Sequence, residues 1–393
     1  MTEQLSDRVQ QVQPSPTLAV TALAAQLRAQ GRDIIGLGAG EPDFDTPEHI
    51  REAAIRAIHD GQTRYTAVDG TPELKRAIIA KFHRDNGIEY KSEQILVSCG
   101  GKQSFFNLAQ ALLNPGDEAV IPAPYWVSYP DMVKLAGGKP VILETTQESR
   151  YKLTPQQLDA AITPRTRLVV LNSPSNPSGM AYSADELAAL GEVLSRHPEL
   201  IVATDDMYEH ILWNETPFHN IVNARPDLYP RTVVMNGVSK AYAMTGWRIG
   251  YCGGPPELIK AMKKIQSQST SNPASISQAA ATAALNGDQD CVSAMVGHFR
   301  ERHDFVVDAL NDLAGVEALA GDGTFYCFPR VQQAIDAYGA RDDVDFCSRL
   351  LDDTGVALVP GSAFGTPGHM RLSYATSLDQ LEDAMRRLKK ALG

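Results

Sequence analysis

The segment from Met235 to Gly250, Met-Asn-Gly-Val-Ser-Lys-Ala-Tyr-Ala-Met-Thr-Gly-Trp-Arg-Ile-Gly, holds the densest chemistry in the chain. Its Ser239-Lys240 pair follows an apolar run. An amine in that setting loses hydration, which lowers its pKa and leaves it nucleophilic. Arg248 follows shortly and offers a fixed cation with fork-shaped donors for a phosphate. Asp205, in Asp205-Asp206-Met207-Tyr208, closes another apolar run. A carboxylate buried there needs a cationic partner, because an unpaired buried charge is expensive. A protonated ring nitrogen would meet that need, and a helix N-cap is the plainer use of an Asp so placed.

Four further segments end apolar runs in the same manner. Gly100-Gly101-Lys102 can present backbone N–H groups to a phosphate at a helix start, or form an ordinary tight turn. Trp126, in Pro122-Ala123-Pro124-Tyr125-Trp126, suits stacking on a planar ring or anchoring a core. Asn176 stands in a proline-bounded turn, Asn172-Ser173-Pro174-Ser175-Asn176-Pro177, free to hydrogen-bond a ligand or simply to shape the turn. Arg371, in His369-Met370-Arg371-Leu372-Ser373-Tyr374, suits bidentate capture of a carboxylate or a structural ion pair. A Schiff-base lysine, a carboxylate for a ring nitrogen, a phosphate cradle and a carboxylate clamp are the parts that pyridoxal phosphate (PLP) chemistry requires.

The elements that must position these residues alternate in type. Strand-like runs at 95–98, 118–121, 168–171, 200–204, 232–235 and 249–252 are interleaved with helical patterns at 104–113, 128–136 and 184–196. Such alternation predicts a mostly parallel sheet covered by helices on both faces, whose ligands bind beyond the carboxyl ends of the strands. Residues 1–45 carry one helical segment and the loop Gly38–Phe44, and the pattern beyond about Gly287 turns α+β. We therefore expect an N-terminal arm and part of a small domain at 1–45, a large cofactor-binding domain at 46–290, and a small C-terminal domain at 291–393.

At 393 residues the chain exceeds a single core. Its net charge of −11, with no basic block, argues against nucleic acid and anionic membranes as partners. The acidic start, Met1 to Asp7, has no apolar run of a secretory signal. Five scattered cysteines without a CxxC point to a reducing compartment, so the cytoplasm is the expected location. Nine histidines show no metal-ligand spacing, and no metal is expected.

Taken together, Ala39-Gly-Glu-Pro-Asp-Phe44, Pro124-Tyr-Trp-Val-Ser-Tyr129, Asn172-Ser-Pro-Ser-Asn-Pro177, Asp205-Asp-Met-Tyr208 and Ser239 to Arg248 resemble the class I aminotransferases of PLP fold-type I, in particular the bacterial aspartate aminotransferase subgroup Ib. The likeness runs from Pro14-Ser15-Pro16-Thr17 to the last helix. It implies a seven-stranded, mostly parallel sheet between helices, a smaller α+β domain from both termini, and a homodimer with shared sites. It implies that Lys240 carries PLP, that Asp205 meets the pyridine nitrogen, and that Tyr208 and Asn176 reach the phenolic oxygen. Trp126 would stack on the ring. Gly100, Gly101, Lys102, Ser239 and Arg248 would surround the cofactor, with Tyr65 reaching its phosphate from the partner subunit. Arg371 would bind the substrate α-carboxylate with the Gly40 backbone, Trp126 and Asn176, and Lys102 the distal carboxylate.

The activity so implied is ping-pong transfer from L-aspartate to 2-oxoglutarate. The alternatives are an aminotransferase using prephenate or aromatic amino acids, and a PLP lyase on the same fold. Gln13 stands where many relatives that act on prephenate have a basic residue, which weighs against prephenate, and Asn272-Pro273 marks a variable stretch. A non-catalytic sensor domain of a transcription regulator would need an added helix-turn-helix module, for which the chain has no room.

Overall fold

Short β-branched runs bounded by Gly, Pro and Asn become strands here, and the amphipathic stretches between them become capped helices. The computed structural model describes residues 5–213 and 217–393, so residues 1–4 of the acidic start lie outside the described set. A short strand, β1 (Ile35–Gly36), lies outside the main sheet. The main sheet comprises β2 (Ile95–Ser98), β3 (Glu118–Ala123), β4 (Lys139–Glu144), β5 (Thr166–Asn172), β6 (Ile201–Asp205), β7 (Thr232–Gly237) and β8 (Gly250–Gly253). Their order is β2-β8-β7-β6-β5-β3-β4. All neighbours run parallel except β8, which is antiparallel to both β2 and β7.

The sheet is the middle of three layers. One core packs β-branched residues against helices Glu48–His59, Pro72–Asn86, Ala184–Ser195 and Ser275–Asn286. The other face packs against helices Gly101–Leu112, Tyr129–Leu135 and Pro256–Ser267. Local signals set the helix ends. The Thr71 hydroxyl accepts from the Leu74 N–H, Pro72 opens the first turn, and Gly87 closes the helix with a left-handed φ of 63°. Ser183 and Glu186 form a capping box at Ala184–Ser195. β4 escapes the strand reading because its Lys-Pro-Val-Ile-Leu-Glu sequence is an edge strand with no buried residue.

A separate core joins Ile35 and Leu37 with residues from Met295 to Leu388. Around it lie a two-stranded pair, β1 with β10 (Val356–Ala357), and a three-stranded sheet, β11 (Val359–Pro360), β12 (Met370–Ser373) and β9 (Tyr326–Cys327). The 22-residue helix Asp290–Asn311 contributes Val292 to the first core and Phe299 to this one, so it bridges the two. The start of the chain forms two helices rather than one, Asp7–Gln10 and Pro16–Ala29. No helix among the described residues is long and apolar enough to cross a membrane.

Candidate active site

The carboxyl ends of β3, β5, β6 and β7 open onto one cavity of about 250 Å³. Because β8 runs against β7, its first residue pairs with the last one of β7, Gly250 opposite Gly237. Arg248, just ahead of β8, is thereby delivered to the same edge. The cavity wall includes Gly101, Lys102, Trp126, Asn176, Asp205 and Tyr208. It also includes Ser239, Lys240, Arg248, Gly40 and Arg371, so residues far apart in sequence meet here.

Lys240 Nζ donates to the Gly40 carbonyl at 2.6 Å. Burial lowers its pKa to about 8, helped by Arg248 and Arg371 and opposed by Glu41 and Asp205. An amine so tuned gives up its proton far more readily than a free lysine, and its neutral form is the one that attacks a carbonyl or accepts a proton. Asp205 Oδ2 accepts from the Tyr129 hydroxyl at 2.5 Å, and Oδ1 from the Met207 N–H at 3.3 Å. Burial raises the Asp205 pKa, although Tyr129, Met207 and Lys240 pull it back. Such a carboxyl gains most from a cationic neighbour.

At the mouth of the cavity the backbone is adapted to an anion. Gly100 caps helix Gly101–Leu112 at φ 86°, and a Cβ there would stand 2.3 Å from Arg248 Nη2. Only glycine therefore allows both the turn and the close approach of the guanidinium. Arg248 itself adopts a left-handed φ of 56° and is tied by Nη1 to the Thr245 carbonyl at 2.8 Å. It remains exposed, with donors to spare. Next to this turn, Lys102 Nζ lies 5.1 Å from the Trp126 ring centre, and Trp126 meets Tyr129 edge-on at 5.2 Å.

Arg371 comes from β12 and is only 2% exposed. Its Nη1 donates to Asn176 Oδ1 at 2.9 Å and its Nη2 to the Gly38 carbonyl at 2.7 Å. The rings of Tyr326 and Phe364 lie 4.4 and 4.9 Å from its guanidinium carbon. Its Nε is buried without a partner. Leaving such a donor unpaired costs about 1–3 kcal/mol, which a carboxylate ligand would offset.

Two contacts go beyond the sequence reading. The loop that carries Gly40 into the cavity directs the Gly38 carbonyl to Arg371 and the Gly40 carbonyl to Lys240. The Tyr208 hydroxyl lies 2.9 Å from that of Tyr326, a residue the sequence reading left out. Tyr326 sits in an apolar Phe-Tyr-Cys run with no polar signal, and Tyr129 was noticed only as part of a motif. Tyr65 does not line this cavity in its own chain. It is 93% exposed, an unusual setting for so large a ring.

These residues fit PLP on their own chemistry: an amine of lowered pKa, a desolvated carboxyl, a glycine turn beside an exposed guanidinium, and a flat indole. Comparison with known proteins agrees. The family described as aminotransferase class I and II matches residues 32–388. The chain belongs to that family. An aspartate/prephenate aminotransferase from Nitrosomonas europaea is 60% identical, each chain covered over 99% of its length. Among solved structures, the aspartate aminotransferase from Rhizobium meliloti superposes with a TM-score of 0.94 at 50% identity, covering 99% of this chain and 98% of that one. The Thermus thermophilus aspartate aminotransferase with maleate gives 0.92 at 45% identity, covering 99% of both chains. This chain is thus a PLP-dependent aminotransferase of fold-type I, acting on amino acids and oxo acids.

Proposed function

We propose that this aminotransferase moves the amino group of L-aspartate to 2-oxoglutarate, giving oxaloacetate and L-glutamate. The observation that carries this reading is the pair of cations on the cavity wall, buried Arg371 and flexible Lys102, which suit the two carboxylates of a dicarboxylic substrate. The names of the 60% and 50% identical relatives support it. Incubation with aspartate and 2-oxoglutarate tests it by product analysis. Alanine and carbon dioxide from aspartate, with no glutamate formed, would mark a lyase that releases the β-carboxylate. Prephenate is the second acceptor to try, because the Nitrosomonas europaea relative carries it in its name.

PLP, when bound, supplies a carbonyl that condenses with amines and a ring that withdraws electrons from the substrate Cα. Lys240 would hold the cofactor and, once free, its amine would take up and return the substrate Cα proton. The Gly40 carbonyl orients Nζ. Asp205, its carboxylate fixed by Tyr129 and the Met207 N–H, would favour a protonated ring nitrogen. Tyr208, aligned by Tyr326, and Asn176 would serve the phenolic oxygen. Gly100, Gly101, Ser239 and Arg248 would hold the phosphate and Trp126 the ring. Arg371 would seat the α-carboxylate. The unpaired cysteines support a cytoplasmic location.

Lys102→Ala is expected to lower kcat/KM for aspartate and glutamate by about 10- to 100-fold, the scale of a charged hydrogen bond. Activity toward phenylalanine or tyrosine should fall much less. Equal losses for acidic and aromatic substrates would make Lys102 a support of the glycine turn and remove it from substrate selection.

The exposed Tyr65 fits a homodimer in which it serves the partner's phosphate. Mixing Tyr65→Ala with Lys240→Ala subunits should then restore one site per heterodimer that is wild-type at both positions. Absence of any gain, with subunit exchange shown by mass spectrometry, would assign Tyr65 to its own chain.

A further inference from the structure

Behind the cavity, on the far side of the Asp205–Tyr208 turn, lies a buried group of charges that the chemistry above does not use. Asp85, Glu209 and His210 bring their ligating atoms within 4.8 Å of one another, a grouping that could pass for a metal site. Its positive charge is already supplied by a side chain. Lys81, 0% exposed, forms an ion pair with Glu209 and lies 3.9 Å from Asp85. Lys81 Nζ also donates to Asn86 Oδ1 at 2.8 Å, and Asn86 Nδ2 donates to Glu209 Oε2 at 2.7 Å. The other carboxylate oxygen, Oε1, accepts from Asn236 Nδ2 at 2.6 Å. His210 Nε2 stands 3.0 Å from Asp85 Oδ2.

One carboxylate therefore gathers contacts from three elements: helix Pro72–Asn86, the turn after β6, and β7. The turn alternates its faces. Asp205, Met207 and Tyr208 line the cavity, whereas Asp206 and Glu209 are buried behind it. Asp206 reinforces the grip. Its N–H donates to the Met235 carbonyl at 2.9 Å, and its carboxylate accepts from Thr204 Oγ1 at 2.6 Å and Asn220 Nδ2 at 2.9 Å. Asn236 in turn holds the Gly237 N–H at 2.7 Å, at the exit of β7 toward Ser239 and Lys240.

We propose that Glu209, Lys81 and Asn236 are positioning residues that hold the Asp205–Tyr208 turn in register with the Lys240 turn. The proposal rests on the reading of Asp205 and Lys240 as the cofactor's two partners. Lys81 occupies the apolar stripe of its helix beside Ile78 and Phe82, where a methionine of similar length would pack. A buried ion pair is often no more stabilising than such packing, so its distinctive yield is directional contact. Those directions decide the distance between two groups that must act on one ring, and a misplacement near 1 Å can cost about 100-fold in rate.

The test compares Lys81→Met, Glu209→Gln and the double variant as holoenzymes. Three properties are read: melting temperature, the pH midpoint of the cofactor absorbance, and kcat against KM for the amino donor. The midpoint senses Lys240 and the groups facing it, namely Asp205, Glu41, Arg248 and Arg371. Lys81→Met alone leaves Glu209 buried without its cation and should melt lower. The double variant should recover most of that loss. Its kcat should nonetheless remain about 10- to 100-fold down with KM little changed, and its absorbance midpoint should stay displaced by about 0.5 pH unit or more. A double variant with wild-type kcat and midpoint would overturn the proposal, as would a change confined to KM. If the double variant fails to fold, Asn236→Ala, which keeps the ion pair, is read in the same way, and unchanged values there overturn it. Wild-type protein that shows the midpoint yet transaminates no amino acid would instead overturn the functional reading, leaving the midpoint shifts to judge the clamp.

Discussion

Lys240→Ala is expected to lower kcat on the order of 10⁴-fold or more, because in the proposed mechanism one side chain both anchors the cofactor and moves the proton. The folded structure should survive. Nζ faces the cavity, and its one hydrogen bond, to the Gly40 carbonyl, is worth about 1 kcal/mol. Borohydride reduction of the wild-type holoenzyme followed by peptide mapping should place the pyridoxyl label on Lys240. The variant should bind the cofactor without covalent capture. A label on another lysine, or residual turnover within tenfold of wild type, would refute the assignment.

Asp205→Ala should cost about 10²- to 10³-fold in kcat, the scale for removing a preorganised electrostatic partner from a desolvated site. Its effect on the apo-protein should be small, because two effects oppose. Burial raises the Asp205 pKa in the folded state above its unfolded value, so the penalty of the carboxyl is absent at acid pH and grows as pH rises through the raised pKa. The substitution removes that penalty but leaves the Tyr129 hydroxyl and the Met207 N–H without their acceptor. The apo variant should therefore melt close to wild type at neutral pH, while the holoenzyme loses its rate. A variant that melts well below wild type without cofactor, or that keeps more than a fifth of wild-type kcat, would assign Asp205 to structure alone.

Periodicity and strand-end chemistry made much of this architecture legible. β2, β3, β5, β6 and β7 are apolar and largely β-branched, and their polar successors sit where an α/β sheet binds ligands. Sequence pattern could not reveal the antiparallel course of β8, since direction depends on which neighbours the strand meets. That course is what places Arg248 beside Gly100. Edge strand β4 was missed because Pro140 and charged ends leave only Val141, Ile142 and Leu143 as an apolar run, too short to show a period. The two-residue strands β10 and β11 are too short for any period to register. Within the site, residues carrying charge or a glycine turn announced themselves. Tyr129 and Tyr326 did not, because a buried tyrosine in an apolar run looks like core until its hydroxyl partner is known. Lys81 was hidden because a lysine on a helix reads as solvated until its buried partner Glu209 is known.

The contacts around Arg371 carry a consequence for how the molecule is made. The hydrogen bond from Arg371 to Gly38 spans 333 residues, that to Asn176 spans 195, and Lys240 reaches Gly40 across 200. Contacts of such span form late, because loop closure must be completed before they can contribute. During synthesis, the strands of the main sheet leave the ribosome well before Arg371 does. The residues proposed to face the cofactor, Asp205, Lys240 and Arg248, are thus synthesised well before Arg371, the residue proposed for the substrate carboxylate, so the site's two halves are joined only once the C-terminal strands have formed.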